Sequence, residues 1–232
     1  MQPHHFWQEL LPPAPPAPAE TAAHDAAHDA AYPARLADGR RLLLPIRPLQ
    51  DSGEGLASLI INQASFAVTR ALAADLAARL APLRPEIIVG LPTLGLTLAA
   101  AVAEALGHSR YVPLGNSRKF WYEDALSLPV SSVTTPGQQK RLYIDPRMLP
   151  LLEGRRVALV DDVISSGQSI VAGLSLLKQC DVRPVAIAAA MLQTSRYVEA
   201  LAAFDADIVE NIHACFATPL LVRGSDSLWR SA

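Results

Sequence analysis

Residues 156–160 (RVALV) constrain the chain more than any other segment. The run is short, apolar and rich in β-branched residues, the pattern of a buried strand. It ends in two adjacent carboxylates, Asp161 and Asp162, followed by two apolar residues and the small run Ser165-Ser166-Gly167. A helical pattern then occupies residues 169–178. Residues 184–191 read as the next strand and 196–203 as another helix. Upstream, residues 87–89 form a β-branched run closed by Gly90, and residues 94–106 are rich in alanine and closed by Gly107. Residues 110–114 and 142–145 read as short strands. Strands alternating with helices at this spacing predict βαβ units, hence an α/β fold with a parallel sheet flanked by helices.

Two flanking regions differ. Residues 1–33 hold seven of the 19 prolines and four of the six histidines, the latter partly in the tandem repeat HDAAHDAA. Few large apolar side chains are present to offset the entropy of ordering, so a disordered, solvated tail is expected there. From residue 34 the pattern becomes globular. Asp38-Gly39 between apolar runs predicts a hairpin over residues 34–46. Val68, Leu72, Leu76 and Leu80 recur at helical spacing and predict a helix over 66–80. Residues 116–140 carry Pro129, Pro136 and Gly137 without a sustained period, and read as a long loop with a little strand.

Composition excludes several function classes. The net charge of −2 leaves no basic field to hold nucleic acid or an anionic membrane. Two cysteines, Cys180 and Cys215, are too few for a disulfide scaffold or a thiolate zinc site, and a reducing, cytoplasmic setting is expected. The N-terminus has neither the basic nor the apolar region of a secretory signal. The most apolar stretch, residues 87–103, is broken by Gly90, Pro92 and Gly95 and falls short of the roughly 20 residues of a spanning helix.

Chemistry concentrates where the strand of residues 156–160 ends. Ligands of open α/β sheets bind beyond the carboxyl ends of strands. The following helix N-terminus presents unpaired N–H groups and a partial positive charge, which suit a phosphate. Ser165, Ser166 and Ser169 add hydroxyls, and Gly167 permits a close backbone approach. Asp161 and Asp162 repel a phosphate but suit sugar hydroxyls or a hydrated metal ion. The competing reading is an ordinary strand-to-helix turn with one aspartate as a cap.

Residues 157–169, VALVDDVISSGQS, closely resemble the phosphoribosyl-pyrophosphate (PRPP) binding motif of the type I phosphoribosyltransferases. About 70 residues upstream stands IIVGLPTLGLTLAAA, whose turn Gly90–Gly95 is the counterpart of the family's pyrophosphate turn. Asn116-Ser117-Arg118-Lys119 followed by Leu128-Pro129 is similar to the pattern of adenine phosphoribosyltransferases. The resemblance covers residues 60–192. It implies a type I phosphoribosyltransferase fold with a small hood subdomain. The chain then divides into a tail (1–33), a hairpin and hood elements (34–65), a PRPP-binding core (66–192) and a C-terminal hood or edge segment (193–232).

The implied activity is transfer of the 5-phosphoribosyl group of PRPP to a nitrogenous base of purine type, with release of pyrophosphate. Asp161 and Asp162 would hold the ribose hydroxyls, and residues 161–169 (with Val163, Ile164, Ser165, Ser166, Gly167, Gln168 and Ser169) would bind PRPP. Pro92, Thr93, Leu94, Arg118 and Lys119 would meet the pyrophosphate, the basic pair neutralising the leaving group. Mg²⁺ would be held mainly by PRPP, near Asp161 and Asp162. Residues 121–139 would close over the substrate. Asn62, Gln63 and Tyr122 are candidates for the base; Asn62 or Ser65 serves equally as a helix cap, and residues 120–122 equally anchor a lid. The family's common homodimer is implied as well, with no nucleic-acid or membrane partner. The chain departs from adenine phosphoribosyltransferases at Pro92 and Leu94, where those enzymes carry Glu and Arg, and at Pro136, where a loop glutamate stands. A PRPP-binding regulatory protein without catalysis is the alternative on those departures, and an unrelated sugar-phosphate binder is a third.

Overall fold

The computed structural model describes residues 2–13, 27–50, 52–130 and 140–232. Its centre is a five-stranded, all-parallel sheet built from β4 (Ile87–Gly90), β5 (Val112–Pro113), β8 (Val157–Ile164), β9 (Ala186–Gln193) and β10 (Ile212–Thr218), in the order β10-β9-β8-β4-β5. The strand carrying the two aspartates is therefore the middle one.

Side chains of successive strand residues point to opposite faces. Ala158 and Val160 of β8 join Ile88 and the alanines Ala186, Ala188 and Ala190 of β9 under helices α1 (Phe66–Leu80) and α2 (Gly95–Ala105). Val157 and Leu159 join Ile87, Val89 and Ile187 on the other face, under α3 (Gln168–Gln179) and α4 (Tyr197–Phe204). Both faces being covered, residues 157–160 of β8 read as a continuous apolar run.

A second sheet is antiparallel, in the order β1-β2-β3-β11-β12. β1 (Ala31–Arg35) and β2 (Arg41–Pro48) form the expected hairpin around Asp38-Gly39. β3 (Glu54–Ala57) pairs with β2 and with β11 (Leu220–Arg223), which pairs with β12 (Trp229–Ser231). This hood thus draws strands from both flanks of the core. A small flap completes the fold: β6 (Ser127–Val130) pairs with β7 (Lys140–Tyr143). Among the described residues no helix is long and apolar enough to cross a membrane.

Two expectations need correction. β8 does not stop at residue 160; its ladder with β9 continues through Asp161↔Ala189 to Ile164↔Leu192, because backbone pairing is indifferent to the carboxylates. β10, within the segment 193–232, is an edge strand of the central sheet, paired in parallel with β9. The tail reading fails over residues 2–13. Trp7 is 3% exposed and packs with Phe6 in the cluster of Leu36, Leu42, Leu44 and Leu59. Its indole N–H donates to the Ser58 carbonyl, and Leu11 exchanges backbone bonds with Arg41. One aromatic pair offsets the ordering entropy, since a buried tryptophan removes roughly 150–250 Å² from water. Of the histidine repeat, His24 and its neighbours through residue 26 lie outside the described residues.

The N-terminal segment also sets the start of α1. Ser65 Oγ accepts from the Val68 N–H and donates to the Gln8 carbonyl, while the Ser65 N–H donates to the Trp7 carbonyl. We expect Trp7→Ala to cost about 3–5 kcal/mol of stability, the usual range for a large aromatic truncated in a core. Urea unfolding checks this; an unchanged midpoint would show that residues 2–13 are not integral to the fold.

Candidate functional site

The carboxyl end of β8 leads straight into the start of α3. Asp161 and Asp162 are 7% and 8% exposed. Asp161 lies under the first turn of α2: a Cβ on Gly95 would stand 2.6 Å from Asp161 Oδ1 and 2.8 Å from its Cα. Glycine at 95 is thus what lets α2 sit on the acidic strand end. Asp161 Oδ1 also accepts from the Asp162 N–H at 2.9 Å. Burial, with the neighbouring Asp162 carboxylate second, pushes the Asp161 carboxyl well above its usual range; burial also raises Asp162.

Val163, Ile164, Ser165, Ser166, Gly167, Gln168 and Ser169 follow, and with Asp161 they line a hollow of about 90 Å³. Gly167 is the N-cap of α3, with φ +80, and no side chain caps the helix. The opening N–H groups of α3 are therefore free of a side-chain cap. A Cβ on Gly167 would also meet the Tyr197 backbone at 3.3 Å, so the loop lies against the turn between β9 and α4.

The other wall is the turn Pro92, Thr93, Leu94 that joins β4 to α2, with a cis Pro92–Thr93 peptide. The Asn116 amide donates to Thr93 Oγ1 at 3.3 Å, which ties the segment just before Arg118 and Lys119 to this turn. Arg118 pairs with Asp124 at 3.2 Å; both are exposed. Trp121 is held from below: its indole N–H donates to Asp145 Oδ2, and the Arg147 guanidinium lies 4.5 Å over its ring. Bonds from Arg147 and Trp121 hold the Asp145 carboxyl down to about 2. Phe120 beside it is 96% exposed. Residues 131–139 of the expected lid, Pro136 among them, lie outside the described residues.

The family model for the phosphoribosyl transferase domain matches residues 56–223. The chain belongs to that family. No curated protein matches the chain. Solved structures do. The adenine phosphoribosyltransferase of Giardia lamblia, in complex with 9-deazaadenine, superimposes with a TM-score of 0.57 at 17% identity, over 75% of this chain and 93% of its own. That of Thermoanaerobacter pseudethanolicus gives 0.55 at 17% identity, over 75% and 95%. That of Trypanosoma brucei, in complex with AMP, pyrophosphate and ribose-5-phosphate, gives 0.53 at 19% identity, over 65% and 64%. At these identities the likeness establishes the fold, a type I phosphoribosyltransferase fold. Family and fold together make the protein a phosphoribosyltransferase enzyme.

Not every expected site residue of this transferase gathers at the strand ends. Asn62 and Gln63 form a short 3₁₀ turn (Ile61–Gln63) packed on α2, and the Gln63 carbonyl accepts from the Gln8 amide. Tyr122 rests against Tyr143 of the flap, ring centroids 5.8 Å apart. Neither place is the cleft where the hood meets the core. That cleft, about 620 Å³, is walled by Tyr32, Leu192, Thr194, Tyr197, Thr218 and Leu220. Gln193 ties its two halves together, its amide donating to the Ala57 carbonyl at 2.7 Å. Residues 192–197 escaped the sequence reading because they match no motif. The usable signal was positional, since they follow the carboxyl end of a strand.

The acid pair carries a pH signature. A carboxyl raised on folding favours its neutral form, so its contribution is best below about pH 4, the unfolded value, and declines as pH rises through the raised one. Asp161→Asn keeps the shape and removes the charge. We expect it to raise Tm at pH 7 by about 2–4 °C for each ~1 kcal/mol relieved, the gain vanishing near pH 4, while substrate affinity falls. A Tm that drops at neutral pH would contradict the burial argument.

Proposed function

We propose that the protein transfers the 5-phosphoribosyl group of PRPP to a purine-type base and releases pyrophosphate. The observation that carries this reading is the acid pair Asp161-Asp162 on the central strand, followed by the uncapped start of α3 and faced by the Thr93 turn. A sugar with phosphate at one end and pyrophosphate at the other would place its phosphate at the α3 start and its pyrophosphate toward the Thr93 turn.

Transfer breaks the bond between ribose C1 and the pyrophosphate oxygen, and a base nitrogen forms the new bond to C1. Positive charge develops on the ring and negative charge on the leaving group. Asp161 and Asp162 accept from the ribose hydroxyls, and their charge favours the cationic ring. The helix start with Ser165, Ser166 and Ser169 binds the 5-phosphate. Arg118 and Lys119 neutralise the departing pyrophosphate. The reading has Mg²⁺ held mostly by the oxygens of PRPP. Asp161 and Asp162 supply the protein's share for Mg²⁺, which adds charge neutralisation on the pyrophosphate when bound.

The acceptor is assigned to the cleft between hood and strand ends rather than to Asn62, Gln63 or Tyr122, because that cleft adjoins the phosphate loop through Tyr197. Support for a purine comes from the solved relatives, whose complexes hold 9-deazaadenine and AMP. The same reading has the enzyme as a cytoplasmic protein and, by likeness to its family, a homodimer.

With PRPP and Mg²⁺, pyrophosphate release is expected with one or more of adenine, hypoxanthine, guanine and xanthine, and none with orotate or uracil. Asp162→Asn should weaken PRPP binding roughly tenfold or more in calorimetry, the scale of a bond to a charged group. PRPP binding without turnover of any base would identify a PRPP-binding regulator; absence of a PRPP-induced rise in Tm would refute the reading.

A further inference from the structure

The phosphate loop contains no cation of its own. Residues 163–169 are apolar, hydroxyl, glycine or amide, and two carboxylates stand immediately before them. A phosphate dianion there meets hydroxyls and a helix start, but no full positive charge within the loop. Arg118 and Lys119 stand in another segment, two and three residues after the Asn116 that bonds Thr93, and Arg118 pairs there with Asp124.

One guanidinium reaches the loop from another element. Arg196 follows the carboxyl end of β9 and precedes α4. Its Nη2 donates to Ser165 Oγ at 3.3 Å, and its Nε donates to Thr194 Oγ1 at 3.4 Å. Among the described residues it is the cation whose hydrogen bonds reach residues 163–169. Both partners are neutral hydroxyls, and no carboxylate of the described residues lies in ion-pair range of it. An exposed arginine ordinarily remains in water or joins a carboxylate; this one is laid along a loop shaped for an anion.

The turn that places it is specialised. Thr194 has φ +63, a left-handed conformation that β-branched residues seldom adopt. Its N–H donates to the Thr218 carbonyl at 2.8 Å, which fixes the turn to β10. Tyr197, the next residue but two, is the backbone against which Gly167 packs. The turn and the phosphate loop are thus two sides of one groove, with the guanidinium spanning them.

We propose that Arg196 is the counter-cation of the 5-phosphate, a binding and positioning residue that supplies from the β9–α4 turn the charge absent from the loop. The fork geometry of a guanidinium suits two phosphate oxygens, with Ser165 Oγ as its resting partner. The assignment rests on the phosphoribosyl reading given above and names the residue that reads one end of that substrate.

The test compares Arg196→Gln and Arg196→Lys with the wild type, using ribose 5-phosphate, pyrophosphate and PRPP as separate calorimetric probes. Arg196 is exposed, so both variants should melt with the wild type. Arg196→Gln should bind ribose 5-phosphate and PRPP roughly ten- to a hundredfold more weakly, the range for loss of a charge-assisted bond, with pyrophosphate affinity unchanged. Arg196→Lys should recover part of that loss, and the wild-type affinity should fall more steeply with salt than that of the Gln variant. Equal affinity of wild type and Arg196→Gln for ribose 5-phosphate overturns the assignment alone, as does an effect confined to the KM of the acceptor base. A wild type that binds none of the three probes overturns the phosphoribosyl reading and the assignment together.

Discussion

Everything at the site depends on two carboxylates kept out of water at the end of the central strand. Desolvation makes such a pair expensive unless it is given partners. Here the fold provides few: Asp161 accepts from the Asp162 N–H and is roofed by the backbone of α2. The remaining capacity is directed at whatever enters. On the reading proposed above, a sugar presenting adjacent hydroxyls would satisfy both acids at once, and ligand binding would relieve a cost that folding leaves in place.

The second constraint is how the hood is attached. Its strands come from residues 31–57 and from residues 220–231, so the sheet closes only when both flanks of the chain have returned. Trp7 and the Ser65 cap join that sheet to α1, and Gln193 joins it to the end of β9. The cleft between hood and core lies along this seam, and its shape follows from contacts between segments far apart in sequence.

The sequence made the central strand, its acids and the phosphate loop legible because local chemistry and local structure coincide there. A buried run, two charges, small residues and a helix start occur within thirteen positions. β3, β11 and β12 were not legible: each has three or four residues, too few for alternation to register, and their pairing is long-range. Trp7 was hidden by a proline- and alanine-rich neighbourhood whose composition argues for solvation, although a single large side chain reverses the balance. Arg196 was hidden because its role depends on where β9 ends relative to β8, and no spacing within its own segment carries that information.

The alanines of β9 have a wider consequence. Ala186, Ala188 and Ala190 face α1 and α2 and are fully buried. Their methyl groups set how near those helices come to the sheet, and α2 is the helix whose first residue rests on Asp161. The spacing of α2 over the acidic strand end is therefore set from beneath by the smallest apolar side chains of the interior. Larger residues at these positions would lift α2 from Asp161 and reshape that strand end without changing a residue on its surface.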